Sequence, residues 1–310
     1  MMLKYDYAPI ALFAYRRVRH LELTLDALSK CPEFPKSQLF VFSDAAKSDL
    51  EKEDVQNVRA MLWTRQLPNM TIVEAPQHRG LAASVSAGVT DLCERFGRAI
   101  VLEDDLLVSP ATLQWFNAAL DKYQDHSDVW QISAQQFSVP EFLKRREGMF
   151  LHLTTSWGWA TWKRAWRLYD PLAEGWERLL TAADMRHAFD LDGAYPFSQM
   201  LIDQMAGRVD SWAIRWRWSL FRAGAISLYP PRSLTRNIGF DATATHTRFR
   251  LIKRLVARSR NVVVKPNSEP CPDFPPHVEA YLEDDRAVSR AVRDSQKFWR
   301  RLRLAMGWTE

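Results

Sequence analysis

Three carboxylates in a row, Glu103-Asp104-Asp105, sit between two apolar runs, Ile100 to Leu102 and Leu106 to Val108, ahead of a Ser109-Pro110 break. The first run is too short for an independent helix and reads as a buried strand. In open α/β sheets ligands collect at the carboxyl ends of strands, which is where these acids fall. Adjacent acids repel one another, and burying them unpaired is costly. A hard divalent cation such as Mn²⁺ or Mg²⁺ offsets that cost and leaves room for substrate phosphates. The residues leave two readings open: a metal–diphosphate site or a solvated acidic turn.

The flanking chain alternates strand and helix patterns. Strands are expected at 10–14, 39–42, 71–74, 100–102 and 129–133. Helical spacing falls between them, at 21–28, 49–63, 81–96 and from Pro110 onward. Such alternation implies parallel βαβ units and a doubly wound sheet. Neither G-x-G-x-x-G nor G-x-x-x-x-G-K-[ST] is present, so phosphate has to be held by metal and basic side chains. After Ser133 the character changes. Thr154 to Trp166 is aromatic, with a Ser-Trp-Gly-Trp-Ala-Thr-Trp core; 210–221 reads as a helix and 226–229 as a short strand. Asn237 to His246 is a polar loop, 248–260 is basic, and 279–308 reads as a basic terminal helix.

A chain of 310 residues suits one large α/β domain with an appendage. The three cysteines, Cys31, Cys93 and Cys271, lie far apart, which argues against a disulfide framework and fits a reducing compartment. The N-terminus lacks an apolar signal core and no stretch reaches the length of a membrane span, so a cytoplasmic protein is expected. The net charge of +5 is concentrated in the Arg-rich segments near the C-terminus, without a recognisable nucleic-acid module. That end suits peripheral contact with anionic lipid on the inner face of the plasma membrane, with Phe298, Trp299 and Trp308 as interfacial aromatics, or a plain solvated helix.

The order of Pro9-Ile10-Ala11-Leu12-Phe13-Ala14, Phe42-Ser43-Asp44, His78-Arg79, Glu103-Asp104-Asp105, Trp130-Gln131-Ile132-Ser133-Ala134, Gly158-Trp159 and Asp210-Ser211-Trp212 resembles the GT-A glycosyltransferases. The nearest likeness is to the inverting N-acetylglucosaminyltransferase I type and bacterial family 2-like sugar transferases, over roughly Pro9 to His246. The resemblance implies a Rossmann-like, mostly parallel central sheet flanked by helices. It would comprise a nucleotide-sugar-binding half (1–135), an aromatic-rich acceptor-side and catalytic half (136–250) and a basic C-terminal helical extension (251–310). It implies a metal-dependent hexosyl- or N-acetylhexosaminyl-transferase that uses a UDP-sugar and a saccharide or lipid-linked glycan acceptor in bacterial surface polysaccharide synthesis.

Carried over by residue, the resemblance places Ala14, Tyr15 and Arg16 along the nucleotide, Asp44 on the uracil edge, His78 near the base and Arg79 near the diphosphate. Glu103 would face the donor sugar, Asp104 the ribose and Asp105 the metal. Trp159 with Gly158 would shape the donor-sugar and acceptor pocket, and His246 would close the metal site. Asp210 would be the general base. The family pattern has two acids before the Trp, whereas this chain has Asp210-Ser211, so Asp203 is a second candidate. Each residue also has a plainer reading: Asp44 as a turn or helix cap, His78 on the surface, Arg79 paired with an acid, Trp159 in the core, Asp210 as a helix cap and His246 as a structural histidine. Competing readings of the whole are an inactive carbohydrate-binding relative and a sugar-phosphate nucleotidyltransferase. The latter usually carries a Gly-rich loop after the first strand, where Ala14-Tyr15-Arg16-Arg17 has none.

Overall fold

The computed structural model describes residues 7–239 and 271–305, with side chains to residue 297. The first half is built as its alternation predicts. Strand β1 (Ile10–Ala14) leads to helix α1 (Val18–Leu28), β2 (Leu39–Ser43) to α2 (Lys52–Arg65), β3 (Met70–Glu74) to α3 (Leu81–Phe96), and β4 (Arg98–Glu103) follows. A short β5 (Leu106–Val108), α4 (Thr112–Lys122) and β6 (Val129–Ser133) come next.

The second half adds β7 (Met149–Leu151), β8 (Trp159–Trp162) and the short helices α5 (Lys163–Trp166), α6 (Arg178–Thr181), α7 (Ala183–Phe189) and α8 (Phe197–Met205). Then come α9 (Trp212–Ala223), β9 (Ile226–Tyr229) and β10 (Thr235–Asn237), and a terminal helix α10 (Leu282–Ala305). Eight strands form one sheet in the order β3-β2-β1-β4-β8-β6-β9-β7. Strands β8 and β7 run against the others. This is the fold class expected from the alternation, an α/β, Rossmann-like sheet that is mostly parallel and flanked by helices.

Alternate side chains of each central strand enter separate cores, as the pleat requires. Ile10, Leu12, Ile100 and Leu102 face α1 and α4, while Ala11, Phe13, Ala99 and Val101 face α3 and α9. The small residues of α3 bring that helix down onto the sheet. A β-carbon on Gly88 would lie 2.9 Å from the Phe13 ring and 3.1 Å from that of Phe42. Strand β8 falls inside the segment expected to be aromatic pocket. It inserts antiparallel between β4 and β6, with Val101 opposite Trp159 and Trp159 opposite Ser133.

The segment after residue 270 packs onto the rest of the chain. Cys271, Phe274, Val278 and Ala280 pack against the α1/α4 core, and Ala287 and Val288 of α10 are buried beside Leu151 and Tyr229. Two carboxylates dock the helix. Arg145 donates to Asp284 at 2.8 and 2.5 Å, and Asp285 accepts from the His152 backbone N–H at 3.0 Å and lies 2.7 Å from His152 Nδ1. Hydrogen bonding to Asp285 raises the His152 pKa above its usual value, against the opposing pull of burial.

A raised folded pKa contributes stability that is fully present below the unfolded value and is lost as pH climbs through the folded one. Asp285→Asn is therefore predicted to lower the thermal midpoint most near pH ~6, with the gap from wild type narrowing towards pH ~9. The narrowing stops short of zero, because Asp285 also serves the His152 backbone N–H. A gap that is flat with pH would show that His152 carries no charge in the pair.

Candidate active site

The loops after β1, β2 and β4 are knitted together at one edge of the sheet. Asp44 N–H donates to Ala14 O at 3.2 Å, Asp104 N–H to Phe13 O at 3.0 Å and Ala75 N–H to Ser43 O at 2.9 Å. Strand β4 stops at Glu103, the chain turns through Asp104 and Asp105, and β5 leaves at Leu106. Glu103 is half-buried, and Asp104 and Asp105 are buried.

Asp104 is satisfied from three directions. Its Oδ2 accepts from Tyr15 N–H at 3.1 Å, its Oδ1 from Arg17 at 2.7 Å, and its backbone carbonyl from the Thr24 hydroxyl at 2.9 Å. The same Arg17 nitrogen donates to Asp105 Oδ2 at 2.7 Å. Burial pushes the Asp104 carboxyl above its usual range; the Arg17 charge opposes this and Asp105 adds to it. Burial pulls Arg17 down, but the two carboxylates outweigh it and hold the guanidinium above its ordinary value. The sequence singles out Arg16 and not Arg17, its neighbour in the same β1–α1 loop, which is the one that reaches the acids.

Arg16 turns away, donating to Glu51 at 2.8 Å. The Tyr15 hydroxyl also donates to Glu51, at 2.5 Å, and accepts from Lys47 N–H at 3.0 Å. Burial and the Glu51 hydrogen bond push its pKa up to about 12. The Tyr15 ring lies 5.6 Å from that of His78. Asp44 spends its carboxylate on local donors: Ala45 and Arg79 N–H to Oδ1 and Gly80 N–H to Oδ2, each at 2.9 Å, with His78 Nδ1 at 3.0 Å. Its plainer reading as a turn-forming carboxylate therefore describes its contacts. Asp44 holds the 78–80 loop at the start of α3, where Gly80 has φ +81°, and the Arg79 side chain stays exposed on this edge.

Trp159, which the resemblance assigns to the donor-sugar and acceptor pocket, is instead fully buried, stacked on Trp212 at 5.0 Å and packed against Trp166 and Trp216, as its plainer reading in the core has it. Asp210 lies beside the 78–80 loop: its Oδ2 is 3.1 Å from the position a Gly80 β-carbon would occupy. Asp210 does not cap α9, because Ser211 does, accepting from Ile214 N–H. The Asp210 carboxylate is left 59% exposed, 3.6 Å from Arg215. Asp203, on α8, accepts from Arg208 at 2.6 and 3.0 Å and from Gln199 at 2.9 Å.

His246 lies outside the described residues, and among those described no group of three or more His, Cys, Asp and Glu side chains surrounds a cation position. The donors themselves suit a hard divalent ion, since Asp104 and Asp105 offer buried carboxylate oxygens, but Arg17 holds one oxygen of each, and Asp105 Oδ1 has a 3.5 Å contact from Asn237. The chain then runs over Asp105. Strand β10 pairs with β5, Ile238 N–H donates to Asp105 O at 2.8 Å, and a β-carbon on Gly239 would overlap Asp105 Oδ2.

No family model and no curated protein matches this chain. Among solved structures it is similar to the mannosyltransferase PcManGT from Pyrobaculum calidifontis in complex with GDP-Man and Mn²⁺, at 14% identity and a TM-score of 0.36, covering 72% of this chain and 77% of that one. It is also similar to the 4-diphosphocytidyl-2C-methyl-D-erythritol synthase from Anaerococcus prevotii DSM 20548, at 14% identity and a TM-score of 0.33, covering 53% and 76%. Likeness at this level transfers neither activity nor substrate, and the site is argued from its own residues.

Asp44→Ala would strand the Arg79 and Gly80 N–H groups. Unfolding in urea should show a loss of about 0.5–1.5 kcal/mol, the usual net worth of a hydrogen bond at a part-buried site. A variant as stable as wild type would show that the 78–80 loop holds without Asp44.

Proposed function

We propose that this chain is a glycosyltransferase that moves a hexosyl or N-acetylhexosaminyl group from a nucleotide-sugar, a UDP-sugar in the first instance, to a saccharide or lipid-linked glycan acceptor. The reading rests on two observations: the buried Asp104–Asp105 pair where β4 ends, and the exposed carboxylate of Asp210, which a distant segment brings beside Gly80 in the loop that Asp44 holds. The first offers a place for a diphosphate and its counter-charge, the second a proton acceptor.

Asp105 would hold a divalent cation, Mn²⁺ or Mg²⁺, with His246 as a further candidate ligand. Such an ion, when bound, supplies positive charge to the leaving diphosphate. The protein's own groups do the rest. Arg79, exposed beside the Asp44 loop, adds a charge-assisted contact to phosphate. Tyr15 and His78 present paired rings at the rim, suited to a nucleobase face. Asp210 takes the proton of the acceptor hydroxyl as that oxygen bonds to the anomeric carbon and the bond to the diphosphate breaks. Attack from the face opposite the diphosphate inverts the anomeric configuration.

No helix among the described residues is long and apolar enough to cross a membrane. We place the protein in the cytoplasm in bacterial surface polysaccharide synthesis, touching the inner membrane face through its basic end. The exposed Arg286 and Arg290 of α10 suit that contact, and the 248–260 run lies outside the described residues.

Calorimetry with uridine diphosphate, with and without Mn²⁺, tests the reading. Metal-dependent binding that Asp105→Ala abolishes is the expected result; no nucleoside diphosphate bound by folded protein would end it. Asp210→Asn should cut turnover by about 10²–10⁴-fold, the usual worth of a general base, while nucleotide affinity holds. Equal losses in both would make Asp210 a binding residue.

A further inference from the structure

One side chain already occupies the position that a cation at Asp105 would need. Arg17 Nη2 sits between Asp104 Oδ1 and Asp105 Oδ2, 2.7 Å from each. The surroundings hold it there. The Gly239 backbone passes against Asp105 Oδ2, and a β-carbon on Gly239 would come within 2.8 Å of Arg17 Nη1. The Arg17 and Asp105 side chains are only 15% and 10% exposed.

Mg²⁺ and similar ions take carboxylate oxygens at about 2.0–2.1 Å and tolerate little distortion of their shell. The lone pairs they need on Asp105 Oδ2 now accept from Arg17. A guanidinium does not escape the conflict by losing its proton, as an ammonium does, because it stays charged at any working pH. Two cations on one carboxylate oxygen repel, most strongly where water is scarce.

We propose that Arg17 is a built-in competitor for the divalent cation: guanidinium and metal exclude one another at Asp105, and a nucleoside diphosphate relieves the competition by offering Arg17 its own anionic oxygens. The inference rests on reading the acidic motif as a metal–diphosphate site. It gives Arg17 a binding role and makes metal and diphosphate bind cooperatively, each weakly without the other.

The test uses Mn²⁺ alone, counted by the electron paramagnetic signal of the free aqueous ion, with the full chain and no nucleotide. Arg17→Met should bind Mn²⁺ at least ~10-fold more tightly than wild type, and adding Asp105→Asn to that variant should remove the gain. Equal or weaker binding by Arg17→Met overturns the proposal, as does an absence of Mn²⁺ binding in both proteins. If Arg17→Met does not fold without metal, Arg17→Lys is read instead. Its single ammonium cannot span both carboxylates as the planar fork does, so it should bind Mn²⁺ more tightly than wild type by a smaller factor, and parity overturns the idea. The nucleotide-free contrast stands apart from the proposed function, whose failure would appear as no nucleoside diphosphate bound.

Discussion

Two neighbouring carboxylates buried at the end of a strand are stable only if something positive is buried with them, and Arg17 meets that requirement. Removing one partner of such a group leaves an uncompensated charge in a poorly solvated place, which is far costlier than losing a surface ion pair. The consequence reaches well beyond the three side chains. Asp104 ties the exit of β1 through Tyr15 N–H and the middle of α1 through Thr24, while Asp105 fixes the exit of β10 through Ile238 N–H. The acidic motif is thus a structural junction of the edge as well as its candidate chemical centre.

A second carboxylate does comparable work one loop away. Asp44 gathers the N–H groups of Ala45, Arg79 and Gly80, so the chain can turn sharply before α3 begins. That turn leaves no side chain at residue 80, and the Asp210 carboxylate lies in the space a β-carbon would restrict. Because Ser211 satisfies the first turn of α9, Asp210 is spared the capping role that Asp commonly plays there. Neighbouring residues divide the labour: the serine serves the helix and the aspartate faces the edge.

Much of the first half is legible in sequence because parallel strands buried on both faces read as short apolar runs punctuated by helical spacing. The acid run at the end of β4 is legible for the same reason. What sequence hides is direction and partner choice. Arg16 and Arg17 are adjacent and chemically identical, and only the path of the β1–α1 loop sends one to Glu51 and the other to Asp104 and Asp105. The partners of Asp44 are backbone N–H groups, which no side-chain pattern announces. Strand β8 is hidden because Trp159-Ala160-Thr161-Trp162 is buried along its whole length and shows no alternation of apolar and polar residues.

The aromatic segment illustrates how a composition signal can point to the right region for a different reason. Its tryptophans suggest flat walls for a sugar; the structure makes two of them, Trp159 and Trp166, part of a strut. Trp159 stands opposite Val101, two residues before Glu103 on β4, and stacks on Trp212, two residues after Asp210. Trp166 and Trp216 brace that pair, and Tyr169 stacks on Trp166 at 4.5 Å. Close-packed rings in a core transmit position with little slack. The separation between the acidic motif and Asp210 is therefore set by stacked indoles. On the proposed reading this packing matters chemically: if Asp210 is the base, the stacked rings help fix where it stands, and a base displaced by an ångström loses much of its effect.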